Sequence, residues 1–201
     1  MAGKDRIPMT DAALLVIDVQ DSFKARPKWA RRSNAATFER NVAQLIEAFR
    51  EAGRPVIFVM HSDADGDGAF EFDGPHYRLM DFIERRPSEA LIHKRTINAF
   101  TSTPLLPMLL ESGIRRLTVC GIQTEQCCET TTRVASDLGF DVDFVSEATM
   151  TFPIAENEDG SGCELSTDDI IERTEFALRR RFARIATVDG VVDELRGMVP
   201  A

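Results

Sequence analysis

Residues 114–148, IRRLTVCGIQTEQCCETTTRVASDLGFDVDFVSEA, decide the predicted fold. An apolar, β-rich run is followed by an amphipathic segment, a glycine and a second apolar run. This order predicts two parallel strands that are joined by a crossover helix. Gly139 stands where the helix should end, a position at which glycine is favoured because the backbone often turns left-handed there.

The same alternation extends through the chain in both directions. On the N-terminal side, FERNVAQLIEAFREAG precedes RPVIFVMH, TPLLPMLLESG precedes the strand above, and ALLVID and EALIHK supply two more strands. On the C-terminal side, TDDIIERTEFALRRRF is predicted to be the last helix, before ARIATV. These runs are short, continuous and rich in Val, Ile and Phe, as strands buried on both faces should be. We predict an α/β fold, a three-layer α/β/α sandwich with a mostly parallel central sheet, as a single domain over residues 1–201.

Two polar, glycine-rich segments interrupt this alternation and are predicted to be loops. They are residues 62–76, SDADGDGAFEFDGPH, and residues 154–166, IAENEDGSGCELS. Long loops of this kind often cover or bind ligands, and mobile surface insertions are the alternative. DADGDG resembles the start of an EF-hand, but the twelfth position is Gly74, so the bidentate Glu ligand is missing. Whether the acidic loop binds a cation or acts as a lid is left open.

The bulk composition excludes several classes of partner. The formal net charge of -9 argues against nucleic acid and against anionic membranes, which both need clustered Lys and Arg. No apolar run reaches the ~18 residues of a membrane span. The four cysteines are too few and too unevenly spaced for a disulfide framework. Because no export signal is visible, we expect a cytoplasmic protein that acts on a small molecule.

Reactive side chains stand at the carboxyl ends of three predicted strands. Asp18 ends LLVID, Lys94 ends LIHK, and Cys127 follows LTVCG. Ligands of open parallel sheets bind beyond these ends, so a carboxylate, an ammonium and a thiol should converge. Each residue alone has a structural explanation, but their joint placement predicts a reactive site. If Thr124 is the N-cap, Cys127 lies in the first turn of a helix, whose dipole favours a thiolate.

Three segments carry a resemblance to a known family. LLVIDVQDSF, HKRTINAFTSTPL and VCGIQTEQCCETTTRVASDLGFDVDFVSEAT resemble the isochorismatase-like cysteine hydrolases, which include nicotinamidases, carbamoylsarcosine-type amidases and isochorismatases. The resemblance covers nearly the whole chain. It implies the family's Rossmann-like topology, a homo-oligomer (dimer or larger), and Asp18, Lys94 and Cys127 as the catalytic trio.

The same resemblance implies how the site would bind charge. It places a cis peptide bond between Ile122 and Gln123, with the N–H groups of Gln123 and Cys127 as an oxyanion hole. The nicotinamidase branch carries an Asp-x-His metal set near the second strand, whereas this chain reads HSDADGDG there. We therefore predict no metal and no cofactor. The Rossmann dinucleotide, P-loop and nucleophile-elbow motifs are also missing from the sequence.

Six further side chains are candidates for the substrate pocket because they follow predicted strands or lie in the first loop. Aromatic residues in such positions are often core or oligomer contacts instead, and a histidine at a strand end is often structural. The six candidates are Gln20, Phe23, Trp29, His61, His76 and Tyr77.

Three functions remain open from sequence. The first is hydrolysis of a C–N bond, in an amide or ureido compound, through a thioester on Cys127. The second keeps the fold but cleaves the vinyl ether of isochorismate, where protonation by Asp18 would matter more. The third is a non-catalytic thiol sensor or binding module that uses Cys127 and Cys128. The intact trio favours the first.

Overall fold

The computed structural model describes residues 11–63, 68–157 and 159–197. The strands in chain order are β1 (Ala12–Ile17), β2 (Val56–His61), β3 (Ala90–Lys94), β4 (Arg116–Ile122), β5 (Asp141–Met150), β6 (Ile154–Ala155), β7 (Glu164–Leu165) and β8 (Arg184–Ile185). The helices are α1 (Phe38–Glu51), α2 (Leu105–Glu111), α3 (Glu129–Asp137), α4 (Thr167–Leu178) and α5 (Val188–Arg196).

The predicted α/β fold class is confirmed. Six strands form a central sheet in the order β3-β2-β1-β4-β5-β8, and every neighbouring pair is parallel. All carboxyl ends therefore lie along one edge, which is where ligands bind in open parallel sheets. The strands β6 and β7 form a separate antiparallel ladder within the loop predicted over residues 154–166.

Each face of the sheet is covered by helices, which completes three layers. Helices α1 and α5 pack on one face, and α2, α3 and α4 pack on the other. Because side chains alternate along a strand, β1 supplies both cores. Ala12, Leu14 and Val16 enter the first core, and Ala13, Leu15 and Ile17 enter the second.

The prediction that the helix beginning at Thr167 is the last one is wrong, because α5 follows it. The hydroxyl of Thr187 caps α5 by accepting a 3.0 Å hydrogen bond from the N–H of Gly190. Gly190 within VDGVVDELR suggests a turn in the sequence, but the segment buries an apolar face. That face consists of Val188, Val191, Val192 and Leu195. Helix α4 also ends at Leu178, earlier than predicted, since Arg180 has φ 69°.

Gly121 sets how closely β4 approaches β1. Its φ is 128°, and a Cβ atom on it would lie 1.9 Å from the carbonyl oxygen of Ile17. The register between β4 and β5 shifts between Val119 and Gly121, as at a β-bulge. Only glycine fits this point, which lies directly before the turn that carries Cys127.

Most of the EF-hand-like stretch, residues 64–67, lies outside the described residues. The next described residues form a short 3-10 helix, Gly68–Phe70, and Phe70 is buried against the core. Within the part of the chain that the structure describes, no helix combines the length and the apolar character needed to cross a bilayer.

Candidate active site

Asp18, Lys94 and Cys127 meet at the carboxyl edge of the sheet. Lys94 Nζ lies 2.8 Å from Asp18 Oδ2 and 3.3 Å from Cys127 Sγ. Asp18 directly follows β1, Lys94 is the last residue of β3, and Cys127 lies in the helical turn after β4. The side chains of Asp18 and Lys94 are wholly buried, and only 7% of Cys127 is exposed. The sequence placed these groups on three separate segments, and the parallel sheet brings them into contact.

The ammonium of Lys94 makes three polar contacts. Besides the contacts with Asp18 and Cys127, Nζ donates a 3.1 Å hydrogen bond to the carbonyl oxygen of Thr96. A lysine ammonium has three donors and no acceptor. The three contacts fix its position, while neither carboxylate oxygen of Asp18 accepts a hydrogen bond from the described residues. Thr96 escaped the sequence analysis because it contributes only a backbone carbonyl, which any residue could supply.

Asp18 adopts a backbone conformation that is uncommon for a residue with a side chain. Its φ is 52°, in the left-handed region, where Asp is tolerated better than most residues. The N–H of Asp18 donates a 2.8 Å hydrogen bond to the carbonyl of Val59, which ties the end of β1 to β2. Conformations of this kind persist only where the surroundings hold them, and they cluster at functional sites.

Burial controls the protonation of the three groups. It raises the pKa of Asp18, and the charge of Lys94 offsets this only in part. It also raises the pKa of Cys127 to about 12, an effect that the charge of Asp18 reinforces and that of Lys94 opposes. Burial lowers the pKa of Lys94, but Asp18 and Cys127 more than compensate, so the net shift is upward. Burial therefore favours the thiol form of Cys127, whereas the helix dipole was expected to favour a thiolate.

The turn that carries Cys127 differs by one residue from the prediction. Gln123, not Thr124, is the N-cap, and residues Thr124–Cys128 form a π-helical turn before α3. The hydroxyl of Thr124 instead lies 2.8 Å from that of Thr149 on β5, so a tertiary contact replaces the predicted cap. The peptide bond between Ile122 and Gln123 is cis.

A family model described as the Isochorismatase domain matches residues 12–161, about three quarters of the chain. The chain belongs to the isochorismatase family. The matched residues include Asp18, Lys94, Cys127 and the turn after β4. The family model therefore covers the segments that form the buried contact.

Individual isochorismatase-family relatives extend over most of the chain. An uncharacterised family protein of Bacillus subtilis, YrdC, is 29% identical over 182 residues, covering 90% of this chain and 95% of that protein. Nicotinamidase 3 of Arabidopsis thaliana is 32% identical over 154 residues, covering 70% of this chain and 74% of that protein. A solved isochorismatase-family structure from Chromobacterium violaceum has a TM-score of 0.87 at 27% identity, covering 98% of this chain and all of that one. This chain is therefore similar to isochorismatase-family hydrolases in both sequence and fold.

His61 is a pocket candidate whose pKa responds to the charges of Lys94 and Asp18. It ends β2, and its Nε2 lies 3.1 Å from Asp63 Oδ1, while its buried Nδ1 has no hydrogen-bond partner among the described residues. Burial lowers the pKa of His61, and the nearby charge of Lys94 lowers it further. The imidazole is therefore neutral at neutral pH and can offer Nδ1 to a polar group.

Phe23 and Trp29 belong to an aromatic wall of four side chains. The other two, Phe70 and Phe152, were not among the candidates from the sequence analysis. The Phe23 ring lies 4.9 Å from that of Phe70 and 6.0 Å from that of Phe152, and Trp29 lies 6.4 Å from Phe152. Phe152 follows β5 by two residues. Because ligands bind beyond the carboxyl ends of strands, Phe152 could have been identified as a candidate from the sequence. Phe70 could not, because it lies in a loop whose path the sequence does not reveal.

Gln20 is placed as a brace rather than as a pocket residue. Its Oε1 accepts a hydrogen bond from the N–H of His61, and its Nε2 donates to the carbonyl of His61 and to the hydroxyl of Ser22. Because the amide is buried and bonded at both ends, it joins the ends of β1 and β2.

Tyr77 contacts the edge strand β3, whereas His76 is exposed. The carbonyl of His76 accepts a hydrogen bond from Ser22. The Tyr77 hydroxyl lies 2.7 Å from Nδ1 of His93 on β3. The hydroxyl of Tyr77 is therefore paired with a side chain of the strand that ends in Lys94. Across the described ranges, no group of three His, Cys, Asp or Glu side chains could hold a metal ion.

Proposed function

We propose that this chain hydrolyses a C–N bond of a small amide or ureido compound through a thioester on Cys127. The observation that carries the proposal is the buried contact in which Lys94 joins Asp18 at 2.8 Å and Cys127 at 3.3 Å. A proton acceptor, a cation and a sulfur nucleophile within hydrogen-bond reach are what nucleophilic acyl transfer needs. The similarity to a nicotinamidase supports a C–N bond as the target.

The first step is activation of the thiol. Because burial raises the pKa of Cys127 to about 12, the sulfur needs a base to become nucleophilic at neutral pH. Asp18 accepts the proton, and the upward shift of its own pKa makes it a stronger base than an exposed carboxylate. Lys94 stays cationic and stabilises the thiolate as it forms.

The thiolate then adds to the carbonyl carbon of the substrate. As the sulfur–carbon bond forms, the π electrons of the carbonyl move to its oxygen. We propose that the N–H groups of Gln123 and Cys127 bind this oxyanion. In the π turn the N–H groups of Gln126 and Cys128 both donate to the carbonyl of Gln123. The N–H groups of Gln123 and Cys127 belong to the same helix start, a position at which N–H groups commonly bind an anion. A preorganised donor of this kind contributes about 3–4 kcal/mol.

Three further proton transfers complete the cycle. Asp18 returns the proton to the leaving nitrogen as the C–N bond breaks, which releases ammonia or an amine and leaves the thioester. Water then adds to the thioester while Asp18 accepts its proton. The carbon–sulfur bond breaks, Asp18 gives this proton to the sulfur of Cys127, and the carboxylic acid product leaves. Each step uses groups that already lie within one buried cluster.

A substrate screen tests this proposal. Small primary amides, ureido compounds and isochorismate are incubated with the wild type, and ammonia or amine release is measured beside cleavage of isochorismate. We expect C–N cleavage that Cys127→Ala abolishes and that the control Cys163→Ser leaves unchanged, because Cys163 is exposed and does not belong to the buried cluster. Cleavage of isochorismate alone would favour the vinyl-ether hypothesis, and full C–N activity in Cys127→Ala would refute the thioester.

A further inference from the structure

The loop that follows Lys94, residues 95–104, is braced by hydrogen bonds within itself. The carbonyl of Thr96, which accepts the 3.1 Å hydrogen bond from Lys94 Nζ, belongs to this loop. The hydroxyl of Thr96 lies 3.0 Å from the carbonyl oxygen of Asn98 and 2.9 Å from that of Thr101. The Asn98 side chain in turn accepts hydrogen bonds from the N–H groups of Phe100 and Thr101. The carbonyl that Lys94 contacts is therefore held by the conformation of the loop.

The same loop is docked on the helix that follows Cys127. The N–H of the buried Ala99 donates a 3.1 Å hydrogen bond to the hydroxyl of Thr131, and its carbonyl accepts a 2.5 Å hydrogen bond from Thr103. Thr131 is wholly buried on α3, four residues after Cys127. Because a buried backbone N–H needs a partner, the hydroxyl of Thr131 determines where the loop sits against α3.

These contacts form a closed path between the two residues of the site. The path runs from Cys127 Sγ to Lys94 Nζ at 3.3 Å, and from there to the carbonyl of Thr96. It continues along the loop to Ala99, crosses to Thr131 and returns along the helix to Cys127. A shift of the loop relative to α3 would therefore change the distance between the ammonium and the sulfur.

We propose that Thr131 is a positioning residue, which holds the ammonium of Lys94 against the sulfur of Cys127 through the loop. This inference rests on the proposed function, because the contact that it explains is the one that carries that function. Without the hydroxyl of Thr131, the N–H of Ala99 stays buried and unpaired, and the loop is released from α3. Thr131 takes no part in the bond-breaking steps.

Helix α3 offers a matched pair of variants to test the inference without knowledge of the substrate. Thr131→Val removes the bonded hydroxyl. Thr132→Val makes the same exchange at the next residue, whose buried hydroxyl has no hydrogen-bond partner among the described residues. Thr131→Ser keeps the hydroxyl and is the rescue variant, and Thr96→Val loosens the same loop at its other end. The rate of iodoacetamide alkylation at Cys127 is measured at pH 8 by peptide mass spectrometry, with Lys94→Met as the reference.

A displaced ammonium should make the thiol less reactive, because the charge of Lys94 lowers the pKa of Cys127. We expect Thr131→Val and Thr96→Val to be alkylated about two- to fivefold more slowly than the wild type, as for the loss of one hydrogen bond. Thr132→Val and Thr131→Ser should keep the wild-type rate. Local opening of a destabilised fold would expose the buried thiol and accelerate the reaction, so slower alkylation separates positioning from a purely structural role.

The reference variant separates failure of this inference from failure of the proposed function. Alkylation at the wild-type rate or faster in Thr131→Val and Thr96→Val, with slower alkylation in Lys94→Met, would overturn this inference alone. If Thr131→Val does not fold, the rate in Thr96→Val is judged by the same criterion. An unchanged rate in Lys94→Met would refute the role of the cation in the proposed function, and the inference with it.

Discussion

The carboxylate of Asp18 and the ammonium of Lys94 form a wholly buried ion pair, with Oδ2 and Nζ 2.8 Å apart. The two residues end different strands, β1 and β3, which are separated in the sheet by β2. Removal of two charges from water is costly, and their attraction offsets that cost only while both partners are present. The pair is therefore a stability element as well as the centre of the proposed site.

Loss of one partner should destabilise the fold more than loss of both. We expect Lys94→Met to lower the free energy of unfolding by about 3–5 kcal/mol, because the Asp18 carboxylate is left buried and unpaired. The double variant Asp18→Asn/Lys94→Met should lose less than the sum of the single variants. Urea unfolding of the four proteins measures both quantities, and additive losses would contradict the account.

The penalty in Lys94→Met should also depend on pH. Burial already raises the pKa of Asp18 above its ordinary value, and loss of the cation raises it further. The folded state then binds a proton more tightly than the unfolded state, so stability should rise as pH falls through the folded-state pKa of Asp18. A destabilisation that stays constant from neutral to acidic pH would show that Asp18 is not the unpaired charge.

The reactivity of Cys127 should respond in opposite directions to its two neighbours. The charge of Asp18 raises the pKa of the thiol, and that of Lys94 lowers it. In Asp18→Asn the pKa of the thiol falls, so that solvent can deprotonate it at pH 8, and the rate of iodoacetamide alkylation should increase. Turnover should still be lost, because no group remains to protonate the leaving nitrogen. Lys94→Met should decrease the alkylation rate. Alkylation rates between pH 6 and 10 measure the shifts, with Cys127→Ser as the labelling control. Slower alkylation in Asp18→Asn would contradict the assigned geometry.

Gly121 should be among the glycines least tolerant of substitution. In Gly121→Ala the new Cβ would meet the carbonyl of Ile17 at 1.9 Å, so β1 and β4 must separate. We expect a loss of at least about 3 kcal/mol in the free energy of unfolding, or failure to fold. Gly139→Ala is the matched control, since its φ is also positive but nothing lies within 4 Å of the added carbon, and it should lose about 1 kcal/mol. Equal losses would contradict the close approach.

Gln20 should stabilise the fold through the hydrogen bonds of its side-chain amide to the backbone of His61. Gln20→Met leaves a buried N–H and C=O of His61 without their side-chain partner, at about 1–3 kcal/mol for each group. The control Gln126→Met changes an exposed glutamine in the turn before α3, and this variant should unfold like the wild type. Thermal or urea unfolding that does not distinguish the two variants would show that the brace contributes nothing.

The sequence predicted the three-layer fold from the alternation of apolar strands and amphipathic helices. It predicted that Asp18, Lys94 and Cys127 meet because ligands bind beyond the carboxyl ends of parallel strands. It missed what distant contacts decide. Thr124 contacts Thr149 across the sheet and is not the cap, and α5 forms because its apolar face is buried in spite of Gly190. The single-domain, homo-oligomeric and cytoplasmic assignments stay predictions.

The central claim is covalent catalysis by Cys127, and acid-quenched peptide mass spectrometry during turnover tests it most directly. The account predicts a Cys127 peptide that carries the acyl part of the substrate, together with a hydroxamate product when hydroxylamine competes with water. Sustained turnover with Cys127 present only as the free thiol, and with no hydroxamate formed, would contradict it.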